Sequence, residues 1–215
     1  MDTLMAVRHA REQGAKVISI CNTHGSTLPR ESDAALYTHA GPEIAVASTK
    51  AFLAQITAAY LLGLYLAQLR GNKYKDEIAS ILAELQNMPA KIQKVLDNDT
   101  QVKELGVEMK DASSVIFLGR HVGFPVAMEG ALKLKEITYI HAEGFAAGEL
   151  KHGPIALIDE GQPVIVVVPS ANGRDSLHGK VVSNIQEVRA RGAFTIVIAE
   201  EGDEAVKPYA DRLIT

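Results

Sequence analysis

The 215 residues suffice for one large domain or two small ones with real cores, and 47% hydrophobic with 22% charged residues is an ordinary globular balance. A formal net charge of −4 argues against a general binder of nucleic acid or of membrane surfaces. The single cysteine, Cys21, excludes an intramolecular disulfide and speaks against a secreted scaffold; ending an apolar run, it reads as a core residue rather than a reactive thiol.

Met1-Asp2-Thr3-Leu4 opens an amphipathic pattern with charges throughout, not a leader peptide. Residues 3–13 predict a helix with Leu4, Met5, Val7 and Ala10 on one face and Gly14 as its stop. Lys16 to Cys21 predicts a buried strand. Asn22 to Ser26 is a turn-rich loop at its carboxyl end, where open α/β sheets place ligands, and Ala34 to Tyr37 is a second strand. A loop from His39 to Lys50 leads into a long helix that runs to about Arg70. Ser48 suits its N-cap; the same helix end, with its unpaired N–H groups, also suits an anion or sugar hydroxyls. Ala51 to Leu69 is the longest apolar segment, but Gln55, Thr57, Gln68 and two tyrosines make it a buried or dimer-facing helix rather than a membrane span.

Residues 71–111 read as a helical connector: Tyr74 to Gln86 is periodic, Pro89 can open a helix and Thr100 can cap another. The second half continues with a strand at Ser114 to Gly119, a loop at Arg120 to Gly123 that suits a phosphate or plain solvent equally, and a helix from Pro125 to Tyr139. A Gly-punctuated loop follows from Gly144 to Gly153, then a strand at Pro163 to Pro169, a helix at Ser176 to Arg191, a strand at Phe194 to Ala199 and the start of another at Leu213-Ile214. Strands alternating with helices predict an α/β, doubly wound parallel sheet. YTHAGPEIAVASTKAF and YIHAEGFAAGELKHGP form a weak internal echo, as two copies of one domain would leave.

The chemistry concentrates between Glu129 and Pro154. Glu129, Lys133 and Glu136 are spaced by four and three residues, advancing about +40° and then −60°, so they share one side of a helix. An ammonium between two carboxylates is either an ion-pair ladder or acid/base apparatus, and on spacing alone the ladder is the commoner case. The loop beyond returns His152, which puts three titratable groups within plausible reach of one small substrate. The other histidines show no metal-site spacing, and neither a dinucleotide fingerprint nor a Walker loop is present, so neither a metal nor a nucleotide cofactor is expected.

Three long stretches, ICNTHGSTLPRESDAALYTHAGPEIAVASTKAF, EGALKLKE with HAEGFAAGELKHGP, and SNIQEVRARGAFTIVIAEEGD, follow one another along nearly the whole chain. Together they resemble the isomerase part of the glutamine–fructose-6-phosphate aminotransferases (isomerizing), the glucosamine-6-phosphate synthases. The resemblance implies two doubly wound, flavodoxin-like sugar-isomerase (SIS) domains: 1–72 as the remainder of a first domain, 73–111 as connector and 112–215 as a second, incomplete one. It implies conversion of fructose 6-phosphate and glutamine to glucosamine 6-phosphate and glutamate, in a cytoplasmic homodimer, without cofactor, metal, nucleic acid or membrane. Glu136 then moves the proton between C1 and C2, Lys133 stabilises charge or relays a proton, and Glu129 orients Lys133. His152, contributed by the partner subunit, serves the ring oxygen, while Val46 and Ser48 line the sugar-phosphate site. The family's Ser-rich phosphate loop before Asp2, its glutaminase domain and its Schiff-base lysine are not found in these residues, so the expectation is a fragment inactive alone. Two other readings stand beside this one: a non-catalytic sugar-phosphate-binding or dimerisation module, and a simple aldose–ketose phosphate isomerase.

Overall fold

The computed structural model describes residues 1–173 and 177–215, so the predicted helix start at Ser176 lies outside the described residues. The chain divides into two compact units, Met1–Lys94 and Val95–Thr215, with the division inside the helical stretch 73–111.

In the first unit, α1 (Asp2–Glu12) ends as its glycine predicts. Gly14 takes φ +81°, its N–H donates to the Arg11 carbonyl and the Ala15 N–H donates to the Ala10 carbonyl. This six-to-one and five-to-two pair satisfies the last carbonyls of the helix. Strands β1 (Ile18–Cys21) and β2 (Ala34–Tyr37) pair in parallel, Ile18 opposite Ala34 and Cys21 opposite Tyr37. Between them lies α2 (Thr27–Arg30), a single turn without periodicity to announce it. A fork-on-fork pair, Arg8 Nε and NH2 on Glu31 at 2.7 and 2.6 Å, ties α1 to the end of α2. Cys21 is not in the core as expected: it is partly exposed, with its thiol near the Thr23 carbonyl (3.6 Å) and the Ser26 hydroxyl (3.4 Å).

Helix α3 (Lys50–Leu69) has the length and apolarity to cross a membrane, with a mean hydropathy of 1.5 over its most apolar stretch. Of the two alternatives expected for it, buried or dimer-facing, burial within the chain is not what the structure has. Helix α3 meets β1 and α4 (Lys75–Gln86), yet only Ala51, Ala58 and Leu64 of it are buried, while Leu53, Ile56, Tyr60, Tyr65 and Leu69 stand exposed. An apolar run records what a helix can bury but not what covers it. At the start of α4 the Tyr74 N–H donates to Glu77 at 2.9 Å, half of a capping box. Helix α5 (Met88–Asp97) carries Pro89 in its first turn, as predicted, and contains the division between the units.

The second unit runs α6 (Thr100–Met109), β3 (Ser114–Gly119), α7 (Gly123–Thr138), β4 (His141–Ala146), β5 (Pro163–Val167), α8 (His178–Arg189), β6 (Phe194–Ile198) and β7 (Arg212–Ile214). All five strands are parallel, in the order β4-β3-β5-β6-β7. Counted within the unit this is 2-1-3-4-5, the flavodoxin-type order. The predicted α/β, doubly wound sheet is therefore present, with its core in two layers. Ile116, Leu118, Val164, Val166 and Val197 pack toward Val181, Ile185 and Val188 of α8. Val115, Phe117, Ile165 and Ile196 pack toward α6 and toward Ala127 and Ala131 of α7. Each large side chain fully buried this way contributes about 1.5–3 kcal/mol.

Strand β4 corrects the loop expected from Gly144. HAEGFA lacks the β-branched residues that mark a strand, and it becomes one because its backbone pairs with β3 from Ser114–His141 to Gly119–Ala146. Gly144 is required there: a Cβ would fall 2.7 Å from the Met128 Cα of α7. Gly119 is tighter still, since a Cβ would lie 2.1 Å from the Gly123 carbonyl oxygen where β3 turns into α7. The loop proper is a 3-10 segment, Ala147–His152, followed by another at Pro154–Leu157.

At the far edge, buried Thr195 of β6 fastens β7. The Asp211 carboxylate accepts the Thr195 N–H at 2.8 Å and a guanidinium N–H of Arg189 at 2.8 Å, and the Thr195 hydroxyl lies 2.9 Å from Asp211 and 2.6 Å from the Tyr209 carbonyl. Burial opposes ionisation of Asp211 most strongly, but the Thr195 amide, the Thr195 hydroxyl and Arg189 together outweigh it and hold the carboxyl below its ordinary range.

Gly119→Ala is expected to cost about 1–3 kcal/mol or more, read as a lowered urea midpoint, and an unchanged midpoint would remove the close contact from the account. Because the folded carboxyl of Asp211 titrates below its unfolded value, its contribution is complete above about pH 4 and is lost as pH falls through the folded value. Asp211→Asn is therefore expected to destabilise near neutrality, with the gap to wild type closing below about pH 4; a gap that stays constant down the acid series contradicts the clasp.

Candidate active site

Helix α7 positions the charged side chains because its opposite side is made of small residues. Gly123, Ala127 and Ala131 are buried against the sheet, which lets the helix axis approach β3 closely. Glu129, Lys133 and Glu136 then lie about 150° around the helix from that contact, with Val126 and Ile137 exposed beside them. The expected grouping is present. Lys133 Nζ donates to Glu136 Oε2 at 2.7 Å and lies 3.4 Å from Glu129 Oε1. The three side chains are only 20–31% exposed, so the pair contacts are less screened than on an open surface.

The Glu136 hydrogen bond is the largest influence on Lys133 and raises its pKa; partial desolvation pulls the other way, and Glu129 adds to the rise. The amine therefore stays an ammonium throughout the neutral range. Only one carboxylate oxygen of Glu136 is engaged; Oε1 has no hydrogen bond among the described residues. Chemically, this is a carboxylate held at one oxygen by a fixed cation and open at the other, a geometry suited to taking up and returning a proton.

His152 is not part of that cluster within the chain. It ends the 3-10 segment after β4, is exposed, and makes no hydrogen bond or ion pair among the described residues, to the ladder or to anything else. Among the described residues no group of three metal-ligating side chains comes together.

In the first unit, Val46 and Ser48 lie in the loop ahead of α3, with Val46 93% exposed and Ser48 half-buried. Ser48 is not the N-cap that its position suggests. The helix begins at Lys50 with Thr49 at the cap, and neither side chain bonds the helix amides. The Glu43 carboxylate does so instead, accepting the Ala51 N–H at 3.1 Å. Sequence reasoning missed Glu43, since a carboxylate arriving through a loop seven residues ahead of the helix follows no capping pattern. At the carboxyl ends of β1 and β2, Asn22 staples the expected turn: its Oδ1 accepts the Thr38 hydroxyl and the Ala40 N–H, both at 2.9 Å, and its amide donates to the Gly41 carbonyl. His24 stacks on Tyr37 beside it, ring centres 4.1 Å apart.

A model of the SIS domain family matches residues 1–65 and 108–215. The chain is 78% identical over 214 residues to a Corynebacterium glutamicum protein named glutamine–fructose-6-phosphate aminotransferase [isomerizing], covering all of this chain and 34% of that protein. A Mycobacterium tuberculosis protein of the same name is 66% identical over 213 residues, 99% of this chain and 34% of its own length. The chain thus spans about a third of the curated relatives it matches. Among solved structures, the C-terminal domain of glucosamine-fructose-6-phosphate aminotransferase from Francisella tularensis superposes with a TM-score of 0.90 at 44% identity, over 99% of this chain and 59% of that one. With the family model reaching into both units and a solved relative of the same fold along nearly its whole length, the chain belongs to the SIS domain family.

Proposed function

We propose that this chain is isomerase machinery of a glutamine–fructose-6-phosphate aminotransferase, in which residues 1–72 and 112–215 are two SIS domains joined by the helices of 73–111. The observation that carries the reading is the Lys133 ammonium held between Glu136 and Glu129 on α7, in a chain 78% identical to a protein of that name. Fructose 6-phosphate must open its ring, take nitrogen at C2 and move a proton from C1 to C2. Glu136 removes the C1 proton through its free oxygen and returns it to C2. Lys133 balances the negative charge that builds on the substrate as the C–H bond breaks, and Glu129 keeps the ammonium aimed. His152 handles the ring-oxygen proton, and Val46 and Ser48 line the sugar-phosphate site.

His152 reaches this chemistry from the other subunit of a cytoplasmic homodimer. Its solitary, exposed place in the single chain agrees with that arrangement, as do the uncovered apolar side chains of α3. Glutamine-derived ammonia comes from a glutaminase domain of the same polypeptide.

In the gene product that carries these residues, Glu136→Gln is expected to lower kcat for glucosamine 6-phosphate formation by about 10²–10⁴-fold with an unchanged thermal melt and retained fructose 6-phosphate binding. Turnover at the wild-type rate would sink the role of the carboxylate. Mixing Glu136→Gln subunits with His152→Asn subunits is expected to restore about a quarter of wild-type activity, because half of randomly formed two-fold dimers are mixed and each has one intact site. No recovery despite demonstrated subunit exchange would refute the shared site.

A further inference from the structure

We propose that the second unit carries a binding site for a phosphate-class oxyanion, built on Arg120 at the carboxyl end of β3 and separate from the Lys133 ladder. Arg120 is the first residue after β3, and β3 lies where the strand order reverses, between β4 and β5. Ligands of open α/β sheets lie outside the carboxyl ends of the strands at this switch point.

The side chain is fixed for the purpose. Its Nε–H donates to Oδ1 of Asn184 at 3.0 Å, and Asn184 is buried on α8 with its own amide donating to Glu187 at 3.1 Å. This anchors the guanidinium plane and leaves the NH1 and NH2 donors without a hydrogen bond among the described residues. Those donors face Gly148, where a Cβ would stand 3.1 Å from NH1, so the glycine keeps the space open. The result is a cavity of about 160 Å³ lined by Arg120, Gly148, Lys151, Lys180, Ser183, Asn184 and Glu187. That is several times the roughly 30 Å³ of a liquid water molecule.

The charge of the lining selects the ligand. Three cations face one carboxylate, and Glu187 is already spent on Lys151 at 2.9 Å and on Asn184. Lys180 has no ion pair among the described residues. An uncompensated lysine, the free fork of an anchored arginine and a serine hydroxyl make a donor-rich, net-cationic set whose one carboxylate is already paired, which fits a tetrahedral oxyanion and disfavours a cation or an apolar group. None of these residues bonds to Glu129, Lys133 or Glu136, so the site stands whether or not the proton-transfer reading does.

The test is an NMR titration of the chain with inorganic phosphate at fixed ionic strength, followed at the Arg120 Nε–H and at the Gly148 and Ser183 amides. Saturable shifts at all three are expected, with affinity at least about tenfold weaker in Lys180→Glu and unchanged in Lys207→Glu, a matched charge reversal at an exposed lysine outside the cavity. Non-saturating shifts, or equal affinity in wild type and Lys180→Glu, overturn the site. A parallel titration with a hexose 6-phosphate, read at the same signals and in the same variants, identifies the source. Tighter binding of the ester assigns the site to a phosphorylated metabolite, and binding no tighter than that of inorganic phosphate assigns it to free phosphate.

Discussion

Helix α7 lies against its sheet only because side chains are missing where it touches. Gly119 admits the turn from β3 into the helix, Gly144 lets β4 pass under Met128, and Ala127 and Ala131 fill the contact between them. With larger residues the helix would stand off, its register against β3 and β4 would change, and the outward side chains would turn with it. The direction in which Lys133 and its two carboxylates point is therefore set on the far side of the helix, by atoms that take no part in any chemistry.

The second unit uses ionic groups in two ways. Asp211 is a fastener, since its carboxylate, just ahead of β7, is tied to Thr195 of β6 and to Arg189 of α8. Glu136 is held at one oxygen and left open at the other. Arg120 is the cationic counterpart of Glu136, tethered through Nε and open at its fork. In each half-held group the tether removes conformational freedom before a ligand arrives, so less ordering remains for the binding step.

Legibility followed the same division. Strands β3, β5 and β6 announced themselves because a strand covered on both faces must be a short run of β-branched and aliphatic residues, and SVIFLG, PVIVV and FTIVI are such runs. The ladder was legible because i,i+4 and i,i+3 neighbours meet on any helix. β4 was hidden, since HAEGFA is a strand by virtue of its neighbour and not of its composition. The cap of α3 was misread at Ser48 for a related reason: Glu43 reaches the helix through space, and local patterns record only what adjacent residues do. The bare flank of α3 and the isolation of His152 belong to a level that no window of residues encodes, because exposure in the folded chain depends on which distant segments come to cover a residue.

The carboxylate of Glu43 on the Ala51 amide has a consequence for whatever approaches the start of α3. That helix end is not a vacant electropositive socket, because a tethered tenant already sits in it at an effective concentration in the millimolar range or above. A visiting anion has to evict this resident and bear the cost of resolvating it, whereas a neutral hydroxyl beside Ser48 does not. The entrance of α3 is thus biased toward a neutral polar group over an anionic one.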